Sequence, residues 1–346
     1  MVRLPASGLV FLLVFSPAQE KRPDQEKGKV QERVTVDRVV VTGRVIDRFA
    51  NPLPGLAAND FRLRVDGRET PIESVEWIPA RRDSEQNPVP LLPETPPETE
   101  ERPRLAAPSR LTVMLFQWEI AGQKDVGFVR MMRQAKRIVE SAGRDDRIAV
   151  LGFGSSLRLL QDFTTNHAAV EEAILKIRSP SWGGHAEDAD AETLSAADGC
   201  ERADSIEKAF VCIGSALQRL PGPKTLLFFG WTAATTRDSW RVHYPSIIEE
   251  IGKAETSVFV LDVSDGKRYG KRVLPESLKT LAYETGGLYQ ETFDFPDLAR
   301  QRVQRSLDGY YELVFRDSAA GRGWHQVEVE LTGGSGTALF HRWYRS

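Results

Sequence analysis

Between Arg110 and Glu119 the chain reads Leu-Thr-Val-Met-Leu-Phe-Gln-Trp, an apolar stretch without a charge. Such a run predicts a central strand covered on both faces. Downstream of it, strand-like and helix-like patterns alternate. Val129, Met132, Ala135, Ile138 and Val139 stand at helical spacing over 127–142, and strands are expected at 147–153 and 157–163. Thr165 or Asn166 caps a helix through Ile177; after the polar excursion Ser179–Ala203 another helix ends at Leu220, stopped by Pro221-Gly-Pro223. Strand 224–229, helix 245–254, strand 256–262, helix 275–284, a short edge strand at 288–290 and a helix over 297–307 complete the series. Alternation of this kind predicts an α/β domain over residues 110–307 with a doubly wound, mostly parallel sheet. Ligands of such sheets sit beyond the carboxyl ends of the strands, which directs attention to Phe116-Gln117-Trp118-Glu119-Ile120.

The flanks have a different period. Residues 34–78 read as a small β module: Val34–Gly43 and Arg44–Asp47 are β-branched, Asn51-Pro-Leu-Pro-Gly55 is a turn cluster, and Phe61-Arg-Leu-Arg-Val65 alternates before Asp66-Gly67. Residues 308–346 are also strand-patterned. Neither piece carries enough apolar surface to stand alone, so the two are expected to form one β unit. Residues 79–109 hold eight of the 20 prolines together with Asp83, Glu85, Glu94, Glu98, Glu100 and Glu101, the composition of an extended linker. Residues 19–33 read as a charged tether. Residues 1–18 resemble a secretory signal, with Arg3, the apolar Leu9–Phe15 and the small Ser16-Pro-Ala18; the alternative is retention as an anchor, although spanning takes roughly 20 apolar residues.

The 346 residues are 41% hydrophobic, enough for two domains, and 46 basic against 49 acidic residues are well mixed along the chain. That balance gives no basic footprint for nucleic acid. Two cysteines, Cys200 and Cys212, leave two readings open: a disulfide, as suits an exported chain, or two separate thiols with Cys212 buried on a helix. The five histidines, at 167, 185, 243, 325 and 341, have no zinc spacing.

In order, Gly55-Leu-x-x-x-Asp-Phe61 with Asp66-Gly67, the linker, the β/α domain with Glu284-Thr-Gly-Gly287, Tyr310-Tyr-Glu-Leu-Val-Phe315 and Trp324-His-Gln-Val-Glu-Val329 make the chain resemble the exported VWFA-related family of the Acidobacteria. The resemblance covers nearly the whole chain after residue 18, and its specificity lies in the order of the motifs. It implies a von Willebrand factor A-like domain and a β-sandwich built from Tyr310–Trp343 and the N-terminal strands. It also implies a metal-ion-dependent adhesion site, in which Asp-x-Ser-x-Ser after the central strand and a Thr and an Asp from later loops hold Mg²⁺. Here this sequence departs from the pattern. Phe116–Ile120 has no Asp-x-Ser-x-Ser, Gly183-Gly184-His185 stands where Gly-Thr is expected, and Gly230-Trp231-Thr232 replaces Ser-Asp-Gly. The expectation is a degenerate site and no cofactor.

Residues that would serve if a metal site survives are Glu119, Thr232, Asp262, Ser264 and Asp265, the last three set against a plain turn in which Asp262 caps backbone amides. His185, Glu187, Asp188 and Asp190 read as a solvated loop rather than a cation site. Trp118, Trp231 and Trp240 either plug the emptied site or present aromatic surface to a partner. Gly152-Phe-Gly154 lacks the third glycine of a nucleotide loop and leads into a strand, and no Walker loop or Gly-x-Ser-x-Gly elbow is found. The sequence therefore points to an exported, non-catalytic, adhesion- or scaffold-like interaction module with a protein partner in the envelope or extracellular space and no transmembrane span after signal removal. The alternatives are a hydrolase or metal-dependent enzyme on the same scaffold and a structural envelope component.

Overall fold

The computed structural model describes residues 38–80, 110–118, 126–177, 194, 200–264, 275–316 and 323–346. The signal-like segment, the tether and nearly all of the linker lie outside these residues. Arg38–Ile46 (β1) is one strand where the sequence pattern divides it at Gly43. Gly43 is paired to Tyr311 on one side and Phe340 on the other. A Cβ there would fall 2.2 Å from the Phe340 ring, so this glycine admits a neighbour's side chain instead of making a turn. Phe61–Val65 (β2) and Arg68–Glu69 (β3) are joined by Asp66-Gly67, both at positive φ as a tight hairpin turn requires. Ile72–Pro79 (β4) follows.

The α/β region begins with Leu111–Gln117 (β5), buried at six of its seven positions. In chain order come Val126–Glu140 (α1), Arg147–Phe153 (β6), Leu157–Thr164 (β7), His167–Lys176 (α2), Ile206–Leu217 (α3), Lys224–Gly230 (β8), Arg237–Lys253 (α4), Thr256–Asp262 (β9), Pro275–Glu284 (α5), Tyr289–Glu291 (β10) and Pro296–Ser306 (α6). The strands form a six-stranded sheet in the order β10-β9-β8-β5-β6-β7, parallel except for the β6–β7 edge pair. One face packs Leu115 and Phe228 under Phe210, Ile247 and Leu278 of α3, α4 and α5. The other packs Phe116 and Phe229 under Met131, Val170 and Val303 of α1, α2 and α6. Helices on both faces of a mostly parallel sheet make this a doubly wound α/β fold, as the alternation predicts.

Side-chain caps decide where the helices start: Asn166, Ser205 and Thr236 accept from the amides of Ala169, Lys208 and Ser239. The Thr236 cap corrects the expectation of a helix beginning at Pro245, which lies inside α4. Proline there removes one hydrogen bond, and the buried Ile247, Ile248 and Ile251 hold the helix through it. Cys200 and Cys212 form a disulfide, Cα to Cα 5.6 Å, that staples the short helical turn Cys200–Arg202 to α3. Of the two readings of the cysteines, the structure selects the bridge.

Gly309–Arg316 (β11), Trp324–Leu331 (β12), Thr337–Phe340 (β13) and Trp343–Arg345 (β14) complete two antiparallel sheets, ordered β13-β1-β11-β4 and β14-β12-β2-β3. Each sheet interleaves strands from both ends of the chain. Between them lie Val41, Phe61, Leu63, Tyr311, Phe315, Val327 and Phe340, making the sandwich core. Tyr311 is fully buried, and its hydroxyl donates to the Leu53 carbonyl at 2.6 Å and accepts from the Leu56 amide at 3.0 Å, tying the Gly55 turn to β11.

The Thr285-Gly286-Gly287 turn after α5 seats the sandwich on the α/β sheet. Thr285 Oγ1 accepts from the Val258 amide at 3.0 Å and donates to the Leu281 carbonyl at 2.8 Å. A Cβ on Gly287 would fall 1.9 Å from the Val258 carbonyl oxygen, and one on Gly286 would meet the Phe340 backbone at 2.8 Å. Bulk is excluded from both sides. Beside this turn, buried His341 meets Ser257 Oγ at 3.3 Å, and Arg44 Nη1 donates to the same hydroxyl at 3.1 Å.

Burial, reinforced by the neighbouring Arg44 charge, pushes the His341 imidazole from its ordinary 6.5 down to about 4. Between those two values the unfolded chain holds a proton on this residue and the folded chain does not, so stability falls as the pH falls from 6.5 to 4 and this contribution is spent below that. The expected loss from His341 is on the order of 3 kcal/mol across the window. Urea unfolding at several pH values, with His341→Gln as the reference that cancels the carboxylates, measures it. Parallel pH profiles for the two chains would contradict the assignment.

Candidate functional site

β5 and β8 lie side by side in register, Phe116 beside Phe229, so the residues after each strand emerge together at the carboxyl edge of the sheet. The two phenyl rings stack at 4.5 Å. One residue on, Gln117 is buried, and its Oε1 accepts from the amides of Trp231 at 3.0 Å and Thr232 at 3.2 Å. Both lone pairs of that carbonyl are thereby used. The Thr232 hydroxyl is turned onto its own loop, donating to the Ala234 carbonyl at 2.6 Å and accepting from the Ala234 amide at 3.2 Å. The two loops are thus joined by a neutral amide, in the place where the family resemblance expects hard oxygens around a cation.

Bonded to the far end of the same loop is a residue that the sequence did not single out. Glu207, at the start of α3, is 0% exposed, and its carboxylate accepts from the Thr235 amide at 2.5 Å, the Thr235 hydroxyl at 3.0 Å and the Ser239 hydroxyl at 2.6 Å. Burial pushes its carboxyl up, but the hydrogen bonds from Ser239 and Thr235 outweigh this and hold it below the usual carboxylate range. Its one trace in the sequence is a carboxylate two residues after the Ser205 cap, next to Lys208, in a helix that is mostly apolar beyond them. Glu207 thereby anchors the loop between β8 and α4 to α3.

The candidate tryptophans separate into two groups. Trp118 and Trp231, both half-buried, pack on the cluster that holds Phe116 and Phe229, whereas Trp240, on α4 with Tyr244 at 5.2 Å, packs on the cluster of the opposite face. Trp118 lies on Gly152 and Gly154, where a Cβ would fall 2.4 and 2.7 Å from the indole, and the Arg158 guanidinium lies 4.7 Å from its ring centre. The two glycines are a floor for that ring. Trp231 keeps its Nε1 buried, with no acceptor among the described residues.

Asp262 ends β9 almost fully buried. Its Oδ1 accepts from the Ser264 amide at 2.9 Å and its Oδ2 from the Tyr289 hydroxyl at 2.7 Å. Burial pushes this carboxyl up against those two hydrogen bonds, and the nearby Glu291 charge adds to the push; the Tyr289 hydroxyl is raised as well, by burial and then by Asp262. Ser264 is buried beside it through its backbone amide. Glu119 and Asp265 lie outside the described residues, as do Gly183, Gly184, His185, Glu187, Asp188 and Asp190. Among the described residues no three His, Cys, Asp or Glu side chains gather to hold one ion.

No protein-family model matches the chain, and no curated protein matches it. Solved structures similar to it include a von Willebrand factor type A protein from Catenulispora acidiphila, at 10% identity over 90% of this chain and 72% of that one with a TM-score of 0.36. BatB from Bacteroides thetaiotaomicron matches at 12% identity over 57% of this chain and 97% of that one, TM-score 0.37. The manganese-loaded TRAP protein of Plasmodium vivax matches at 10% identity over 67% and 93%, TM-score 0.39.

The cross-tie between the loops predicts the cost of removing it. Gln117→Met keeps the length of the side chain and strips the acceptor from two amides, and the expected loss is about 2–3 kcal/mol. Chemical denaturation measures it. A loss below about 0.5 kcal/mol, the range of an ordinary surface substitution, would show that the loops do not depend on this amide.

Proposed function

We propose that this chain is an exported, non-catalytic protein-interaction module that meets its partner at the carboxyl edge of its parallel sheet without a metal ion. The observation that carries the reading is the double acceptance by Gln117. A Mg²⁺ ion asks for near-octahedral hard oxygens with room for retained water. Gln117 offers an oxygen already saturated by two amides, and the Thr232 hydroxyl is closed onto Ala234. These donors do not fit the ion.

What this edge offers instead is aromatic. A half-buried indole brings large apolar area together with one polar group, a combination favoured where proteins meet. Trp231 holds a buried donor that nothing among the described residues accepts, and a phenylalanine would fill the apolar contact without it. Stability alone does not account for the indole. Export is supported by Arg3, Leu9–Phe15 and Ser16-Pro-Ala18, and the Cys200–Cys212 bridge suits an oxidising compartment. Among the described residues no helix is long and apolar enough to cross a membrane.

Calorimetry with and without divalent ions tests the metal-free reading. Millimolar Mg²⁺ or Mn²⁺ is expected to leave the melting temperature unchanged, because an ion binding the native state far above its dissociation constant must raise it. An upward shift lost in Glu119→Ala or Asp262→Ala would overturn the reading. For the contact surface, Trp231→Phe is expected to match or exceed the parent chain in stability while losing crosslinked partner from envelope extract, in the presence of a chelator. Undiminished capture by both Trp231→Phe and Trp118→Ala would put the contact elsewhere.

A further inference from the structure

At the opposite end of the parallel sheet, by the amino ends of β5 and β8, lies a cavity of about 350 Å³, separate from the loops of the carboxyl edge. Its size is at the lower end for small-ligand sites. Four cationic side chains line it, Arg44, Arg110, Lys224 and Arg305, against two carboxylates, Asp146 and Asp308. The cations come from β1, the start of β5, the start of β8 and α6, so the sandwich and both layers of the α/β sheet contribute. Arg305 and Asp308 are exposed and mark its mouth.

The charges are not equally engaged. Arg110 is paired to Asp146, with Nε to Oδ1 at 3.0 Å, and also donates from Nη1 to the Leu307 carbonyl at 3.3 Å. Lys224 Nζ donates to the carbonyls of Leu220 and Gly222 at 2.6 Å each. Arg44 is different. Its described partners are the neutral Ser257 hydroxyl and the face of Phe259, whose ring centre is 5.0 Å from the guanidinium carbon. Its Nε is sealed from solvent, and among the described residues neither an acceptor for it nor a carboxylate for the guanidinium is found. Burial, against the pull of Tyr310 and aided by the Arg110 charge, brings it down from its ordinary value to about 10, so the cation persists at neutral pH. A buried, uncompensated cation is costly, and a planar guanidinium is the group best shaped to hold two oxygens of one anion.

We propose that this cavity is a binding site for a small multivalent oxyanion seated on Arg44, with Arg305 at the entrance and Thr225 as a neutral donor. Phosphate and carboxylate groups share the required chemistry, so two probes separate them: inorganic pyrophosphate and citrate.

The experiment is titration calorimetry and thermal unfolding of the whole chain with each probe, at an ionic strength held constant with chloride. A saturable rise in melting temperature with one or both probes is expected. Arg44→Met should weaken binding about tenfold or more, while without probe its melting temperature is maintained or raised, because the uncompensated charge is gone. A purely structural Arg44 would give the reverse, a lower melting temperature and unchanged binding. Arg305→Gln, at an exposed position, should weaken binding about threefold without touching the fold, and it carries the test if Arg44→Met does not fold. No response to either probe in the parent chain, or equal affinity in parent, Arg44→Met and Arg305→Gln, would overturn the proposal. The chain leaves the rim at Ala80 and returns to it at Arg110, and Asp83, Glu85, Glu94, Glu98, Glu100 and Glu101 lie between. A response seen only after those six are changed to amides would assign the cavity to the chain's own carboxylates and overturn it equally.

Discussion

The pairing of β1 with β11 is the constraint on which the rest depends, because it joins residues 38–43 to residues 311–316 across the entire α/β region. Neither sandwich sheet can be assembled from one end of the chain alone. The amino-terminal strands supply Val41, Phe61 and Leu63 to the core, and the carboxyl-terminal strands supply Tyr311, Phe315 and Phe340. Each set covers the other. The α/β domain is in effect a long insertion between two halves of a sandwich, and the Thr285-Gly286-Gly287 turn is where host and insertion touch most closely. Small residues are required there because β9 presses from one side and the backbone of Phe340 and His341, at the end of β13, from the other.

The two ends of the parallel sheet have opposite characters. At the carboxyl edge, the polar oxygens of three buried side chains are answered within the protein: Gln117 by two amides, Glu207 by a loop amide and two hydroxyls, Asp262 by a tyrosine and an amide. Such closure leaves indoles as the distinctive chemistry. At the amino edge, where the sandwich abuts the sheet, cations outnumber the carboxylates, and among the described residues Arg44 meets a neutral hydroxyl and an aromatic face but no carboxylate. A doubly wound sheet ordinarily keeps its chemistry at the carboxyl edge. In this chain the unsatisfied electrostatics are at the other end.

Much of this fold was legible because its signals are local. Apolar runs such as Leu111–Phe116 and Lys224–Phe229 report burial on both faces whatever surrounds them, and the alternation of Phe61–Val65 reports burial on one. The tryptophans were legible as residues following strands. What depends on contacts between distant segments was not. Gly43 looked like a break because nothing nearby in sequence announces the Phe340 ring that fills its missing side chain, and Pro245 looked like a helix start because the Thr236 cap is a weaker written signal than a proline. Glu207 hides for a similar reason: its three donors come from residues 235 and 239, beyond an intervening strand. The cationic cavity draws on four segments spread from residue 44 to residue 305, and no spacing rule connects them.

The stacking of Trp118 on Gly152 and Gly154 also restricts how this protein can change over generations. A side chain at either glycine collides with the indole as long as the indole is present. Losing the indole first leaves a gap, which a protein tolerates at some cost in stability; gaining the methyl first leaves an overlap, which it tolerates far less. The order of substitutions is therefore fixed, with the tryptophan going before the glycines. A lineage that kept Trp118 would be held to glycine at both positions.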